Sequence, residues 1–271
     1  MSQNTSQDHI SKKRVLYAMP GVDTVTIRRD VEYRVTDAGA LTMDLYYPPD
    51  TKNGARTPAV VFVAGFPDPG TQRMLGCKMK EMGAYISWGH LMAASGLVAV
   101  TYSNSEPADV HAVLEYVRQN AASLGLDENR IGVCAFSGSG PTGLSVLMQG
   151  AQGSLKCALL CYPYTLDLDG FTSVADAAKQ FGFANACAGK SVADLPREIP
   201  LFVARAGRDQ MPGLNDALDR FLAQTLTCNL PVTVVNYAAA PHGFDLFLDS
   251  ETTREVVRQM LGFVRFNLLA R

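Results

Sequence analysis

The sequence predicts an α/β protein: about eight strands, an antiparallel pair first, then a mainly parallel sheet with helices on both faces. Three observations carry this. From the middle of the chain onward, strand-like and helix-like segments alternate, the pattern of parallel strands joined by crossover helices. TPAVVFVAGF is a continuous apolar run, as expected of a strand covered on both faces. No internal repeat, low-complexity tract or Gly/Ser linker divides the 271 residues, so one domain, residues 1–271, is expected.

The first 24 residues read as an N-terminal extension with a frayed start. VTIRRDVEYRV and LTMDLYYPP form the antiparallel pair, and the TDAGA between them supplies Asp37 and Gly39 for a tight turn. TPAVVFVAGF is a buried strand, and MKEMGAYISWGHLMAASG is a helix stopping at Gly96. LVAVTYS is a strand, and PADVHAVLEYVRQNAASLG a helix with Val110, Val113, Leu114 and Val117 on one face. RIGVCAFS, GPTGLSVLMQ and LKCALLCYP follow as strand, helix and strand. IPLFVARAG, NDALDRFLAQTL, PVTVVNYAAA and TTREVVRQMLGFVRFNLL close the chain as strand, helix, strand and helix. Residues 164–199 interrupt the alternation and are rich in Ala, Gly and Phe. A connection of that length reads as a lid-like insertion.

Composition narrows the function classes. The chain is 47% hydrophobic and 18% charged, and 24 Lys and Arg against 26 Asp and Glu leave a net charge of −2. That balance gives no electrostatic hold on nucleic acid or an anionic membrane. No apolar run approaches the roughly 18 residues of a membrane span, and the polar start MSQNTSQDHI does not read as a secretory signal. Six cysteines are too sparse for a disulfide scaffold. Cys157 and Cys161 share a strand at a separation of roughly 13 Å, beyond bridging distance. Reduced thiols in the cytoplasm are the expectation. Neither the cysteines nor the histidines (His9, His90, His111, His242) show zinc-type spacing. Gly138-Ser139-Gly140 lacks the rest of a dinucleotide or phosphate-loop fingerprint. No cofactor is expected, and a small molecule is the expected partner; a homodimer is the commonest assembly of soluble proteins.

The chemistry concentrates at the carboxyl ends of strands, where sites in open parallel sheets gather. In RIGVCAFSGSGPTGL, Ser137 stands at an abrupt strand-to-helix turn with Ala135 two residues before it and Ser139 two after. A nucleophile on such a turn needs small neighbours, because the backbone is crowded there. Asp209 follows the strand in FVARAGRDQ, and His242 follows the last strand in NYAAAPHGFD. Asp245, just behind His242, competes with Asp209 as its carboxylate partner, and Ser139 competes with Ser137.

Ser, Asp and His in this order, with LTMDLYYPP, PAVVFVAGF, DENRIGVCAFSGSG, AGRD and PHGF, make the chain resemble the α/β-hydrolase superfamily, in its compact dienelactone-hydrolase-like and small-carboxylesterase branch. The resemblance runs from about Val25 to the C-terminus. The elbow departs from Gly-x-Ser-x-Gly at Ala135 and Ser139, no His-Gly-Gly-Gly follows the third strand, and serine stands where a true dienelactone hydrolase would carry cysteine. The resemblance implies a serine hydrolase cleaving small carboxylic esters through an acyl-enzyme. Ser137 would attack, His242 would carry the proton and Asp209 would orient the imidazole.

The main-chain N–H groups of Gly138 and Phe66 would form the oxyanion hole, with Gly65 permitting a sharp turn beside them. Trp88, Phe171, Phe181 and Phe183 are candidates for an apolar substrate surface. Asp68 and Arg73, near the oxyanion loop, read as solvated surface residues. The same three groups would also serve a lactonase, amidase or acyltransferase, and the altered elbow leaves open a catalytically silent binding protein.

Overall fold

The computed structural model describes residues 9–49, 56–150 and 153–270. Eight strands form one sheet: β1 (Thr26–Thr36), β2 (Gly39–Tyr47), β3 (Thr57–Phe62), β4 (Val98–Tyr102), β5 (Leu126–Phe136), β6 (Leu155–Cys161), β7 (Leu201–Ala206) and β8 (Val232–Tyr237). Their spatial order is β1-β2-β4-β3-β5-β6-β7-β8. The β1–β2 and β2–β4 pairs are antiparallel and all the others parallel. From β3 the chain steps outward to β4 and then crosses back over β3 to β5. This reversal puts the carboxyl ends of β3 and β5 side by side at the middle of the sheet, the place where such sheets open a crevice.

Burial explains why these segments are strands. β4 is buried at every residue, and β3 and β6 at all but one. β8 is exposed or half-buried along its length until Tyr237, as an edge strand should be. Helices α1 (Asp68–Leu75), α2 (Gly83–Ala94), α3 (Asp109–Gln119), α4 (Ala121–Leu124), α5 (Gly140–Met148), α6 (Ser173–Phe181), α7 (Leu214–Thr227), α8 (Phe244–Phe247) and α9 (Glu251–Leu269) surround the sheet. α3 turns Val110, Val113, Leu114 and Val117 into the core. α9 is capped by the Ser250 hydroxyl, which accepts the Thr253 N–H at 3.0 Å. Among the described residues no helix is long and apolar enough to cross a membrane.

Four details differ from the sequence reading. α1 occupies what read as loop, because Pro67 stands at the N-cap of a helix whose first turn carries Pro69. β5 begins earlier, at Leu126, where it pairs with Thr57. The helix expected over 107–125 breaks at Asn120 into α3 and α4. Residues 9–24 of the extension are anchored rather than frayed: Val15 N–H donates to the Ser87 hydroxyl at 3.0 Å and Leu16 N–H to the Asp245 carbonyl at 2.7 Å. Residues 1–8 lie outside the described residues.

Candidate active site

β5 leads straight into the residue that the sequence singled out. Ser137 has φ +52°, a left-handed conformation that is uncommon for a residue with a Cβ. The chain turns there from extended backbone at Phe136 into α5 within a few residues. Strain of this kind persists only where the surroundings enforce it. The two departures at the elbow have physical reasons. The Ala135 methyl faces Gly143, where a Cβ would lie only 2.8 Å from it. The Ser139 hydroxyl accepts the Gly65 N–H at 2.9 Å, so this serine fastens the β3–α1 loop to the elbow.

β7 and β8 are neighbours, so the loops after them lie together, but β5 is separated from β8 by two strands, roughly 14 Å at the spacing of a sheet. The loop after β8 folds back across that gap. His242 Nε2 comes within 2.9 Å of Ser137 Oγ, and its Nδ1 within 2.6 Å of Asp209 Oδ2. The other Asp209 oxygen accepts the Met211 N–H at 2.9 Å. The Asp209 side chain is wholly buried, whereas the imidazole is 27% exposed. A hydroxyl, an imidazole and a carboxylate from three loops thus form one hydrogen-bonded chain open to solvent at its middle.

Asp245 does not compete for the imidazole. Its carboxylate is buried among other donors: Tyr162 donates from its hydroxyl at 2.7 Å and Trp88 from Nε1 at 2.9 Å. Burial pushes the Asp245 carboxyl above its ordinary range and the Tyr162 hydroxyl far above its own. Tyr162, at the end of β6, fills the gap that the β8 loop spans. Its ring meets the His242 ring edge-on at 4.8 Å. Nothing in the sequence pattern marks Tyr162 for this place.

The loop after β3 is held by Asp68, which the sequence had placed at the surface, and by Asn104. Asp68 is buried and accepts the N–H groups of Asn104 and Met79, both at 2.9 Å. Asn104 in turn accepts the Asp68 N–H at 2.8 Å and donates to the Phe66 carbonyl at 3.1 Å. Arg73 is exposed, as expected. Gly65 is required for close approach rather than for a sharp turn, since a Cβ there would lie 2.5 Å from the Gly138 carbonyl oxygen and the Ser139 Cα. The two proposed oxyanion-hole segments are therefore in backbone contact. Gly138 sits ahead of α5, where the first N–H groups of a helix lack intrahelical acceptors and favour negative charge.

A cavity of about 300 Å³ opens beside Ser137 and His242. Its wall is aromatic and aliphatic, with Phe66, Tyr85, Trp88 and Phe136 inside and Met74 and Phe247 at the exposed rim. Trp88 lines it and is buried. The other three aromatic candidates do not line it. Phe171 is 47% exposed with the Arg220 guanidinium stacked 3.6 Å from its centroid, and Phe181 packs at the margin of the core. Phe183 lies behind the elbow, against Phe66 at 5.9 Å and Tyr164 at 5.0 Å. The insertion 164–199 thus backs the site, while Ile10, α1 and α8 enclose the cavity. The cover comes from segments with little periodicity, which is why sequence reasoning placed it elsewhere.

No family model matches the chain, and no curated protein matches it. Solved structures do. Esterase 2 of Thermogutta terrifontis, phosphoramylated by tabun, shares 19% identity over 92% of this chain and 97% of its own, with a TM-score of 0.62. DphMB1 shares 21% over 94% and 88%, with a TM-score of 0.66. A fungal esterase from Rhizomucor miehei shares 17% over 92% and 84%, with a TM-score of 0.67. The fold is the α/β-hydrolase fold, with its antiparallel start and parallel remainder. Identities this low speak for architecture alone.

Proposed function

We propose that the protein is a serine hydrolase that cleaves small carboxylic esters through an acyl-enzyme. The observation that carries this reading is the continuous chain from Ser137 Oγ through His242 to Asp209, with the hydroxyl presented on a strained turn. His242 Nε2 takes the hydroxyl proton as Oγ bonds to the substrate carbonyl carbon. The same nitrogen gives that proton to the alcohol oxygen as the C–O bond breaks. Water then repeats the sequence to release the acid. Asp209 keeps the proton of the resting imidazole on Nδ1 and stabilises the imidazolium that forms. The N–H groups of Gly138 and Phe66 receive the developing oxyanion.

The structural neighbours support the reading through what they are: two of the three are esterases, and Thermogutta esterase 2 has been solved with propionate bound and phosphorylated by paraoxon. A cavity of about 300 Å³ lies at the small end of ligand sites, which favours short acyl groups and the compact branch that the sequence resembles. The test is a series of 4-nitrophenyl esters. Butanoyl should be cleaved faster than dodecanoyl, and Ser137→Ala should abolish turnover of both. Faster cleavage of dodecanoyl would refute the size argument, and full activity of Ser137→Ala would refute the mechanism.

A further inference from the structure

His242 borders two clefts. Besides the apolar cavity there is a second of about 480 Å³, lined by Arg208, Gln210, Met211, Ala239, Pro241 and His242. Ser137 lines the first and not the second. The second cleft is built from the loops after β7 and β8, tied together where Arg208 N–H donates to the Ala240 carbonyl at 2.8 Å. Arg208 and Gln210 are exposed. Among the described residues the Arg208 guanidinium has neither an ion pair nor a hydrogen bond. The adjacent carboxylate cannot supply one, because Asp209 is buried and held by His242 and the Met211 N–H. A loop-borne guanidinium is thus left unpaired in a cleft that the proposed base borders.

We infer that Arg208, assisted by Gln210, is a subsite for an anionic group, carboxylate or phosphate, on the alcohol half of the ester. The inference rests on the hydrolase reading and follows from the direction of proton transfer. The leaving oxygen must face His242 Nε2 to be protonated, so the alcohol half is the part that can extend past the imidazole into the second cleft. The acyl half, bonded to the carbon that Ser137 attacks, stays in the apolar cavity. Guanidinium is planar, permanently charged and matched to the paired oxygens of carboxylate and phosphate. The substrate class is therefore an ester of a short apolar acid with an alcohol or phenol that carries a negative charge.

The test compares the butanoyl esters of 4-hydroxybenzoate and of its methyl ester, which differ in one charge on the alcohol half. In Arg208→Gln, kcat/KM for the anionic ester should fall about tenfold through KM at low ionic strength, and less than threefold for the neutral ester. Molar salt should narrow the difference for the wild type, because an exposed charge pair is screened. Equal losses on the two esters, or no loss on the anionic one, would overturn the subsite. A binding arm separates this failure from failure of the hydrolase reading. 4-Hydroxybenzoate should bind Ser137→Ala by calorimetry and bind about tenfold more weakly when Arg208→Gln is added, whereas equal binding would refute the subsite without reference to turnover.

Discussion

Replacing Gly138 with alanine tests whether the backbone after Ser137 must stay where it is. A Cβ on Gly138 would stand 2.8 Å from both Phe183 Cδ1 and Phe66 Cζ, and 2.9 Å from Phe183 Cγ. Carbon atoms at ease are about 3.5–4.0 Å apart, so something must yield by roughly 0.7–1.2 Å. The Phe183 ring has little freedom, stacked on Tyr164 at 5.0 Å and wedged against Phe66 at 5.9 Å. The backbone therefore moves and takes the Gly138 N–H off the oxyanion. A misplacement of about 1 Å costs on the order of 10²-fold, and loss of one oxyanion donor about 10²–10³-fold in kcat. Overpacking should lower stability by about 1–3 kcal/mol. Steady-state kinetics on 4-nitrophenyl butanoate should show the loss in kcat with KM little changed, the mark of an interaction made in the transition state. Adding Phe183→Leu removes one of the obstructing rings and should restore about tenfold. A Gly138→Ala enzyme with near-normal kcat, or a double variant with no recovery, would show that the position of the Gly138 N–H does not limit turnover.

Asp209 and Asp245 should part company on substitution. Asp209→Asn should cut kcat by about 10⁴, the size of effect that a wrong imidazole tautomer produces, with the fold intact by circular dichroism. Asp245→Asn should keep kcat within about tenfold but lower the melting temperature. Tyr162 and Trp88 donate to different oxygens of Asp245, one of which becomes an NH2 donor in Asn, and a buried donor left without an acceptor costs about 1–3 kcal/mol. Alkaline stability should register Tyr85, whose hydroxyl is pushed up to about 12 by burial. Folded Tyr85 keeps its proton between pH 10 and 12 where the unfolded chain loses it, so stability falls as pH rises through that window. Urea midpoints at pH 9 and 11.5 should show a decline in the wild type that Tyr85→Phe reduces by about 2 kcal/mol, and identical declines would contradict the assignment.

The sheet was legible because its central strands, β3, β4 and β6 above all, are short apolar runs between helix and turn signals, and because β1 and β2 meet at Asp37 and Gly39. Ser137, Asp209 and His242 could be picked out because each stands in the loop or turn just past the carboxyl end of a strand. What surrounds them could not. Asp68 looks like a surface residue on a Pro-rich loop, yet its burial depends on Asn104, a residue from the end of β4 whose approach no local pattern announces. Tyr162 at the end of β6 and Leu16 in the N-terminal extension meet at Asp245 only once the chain has folded. The four aromatic candidates show the same limit from the other side. Composition marks Trp88, Phe171, Phe181 and Phe183 alike, and only tertiary placement separates Trp88 in the cavity from Phe171 under Arg220.

The most direct measurement is peptide mass spectrometry of the folded protein after treatment with a fluorophosphonate. One phosphonylated residue, Ser137, is expected, with the label lost in His242→Ala, which keeps the hydroxyl but removes its base. A label on Ser139, or an unlabelled protein that is demonstrably folded, would contradict it.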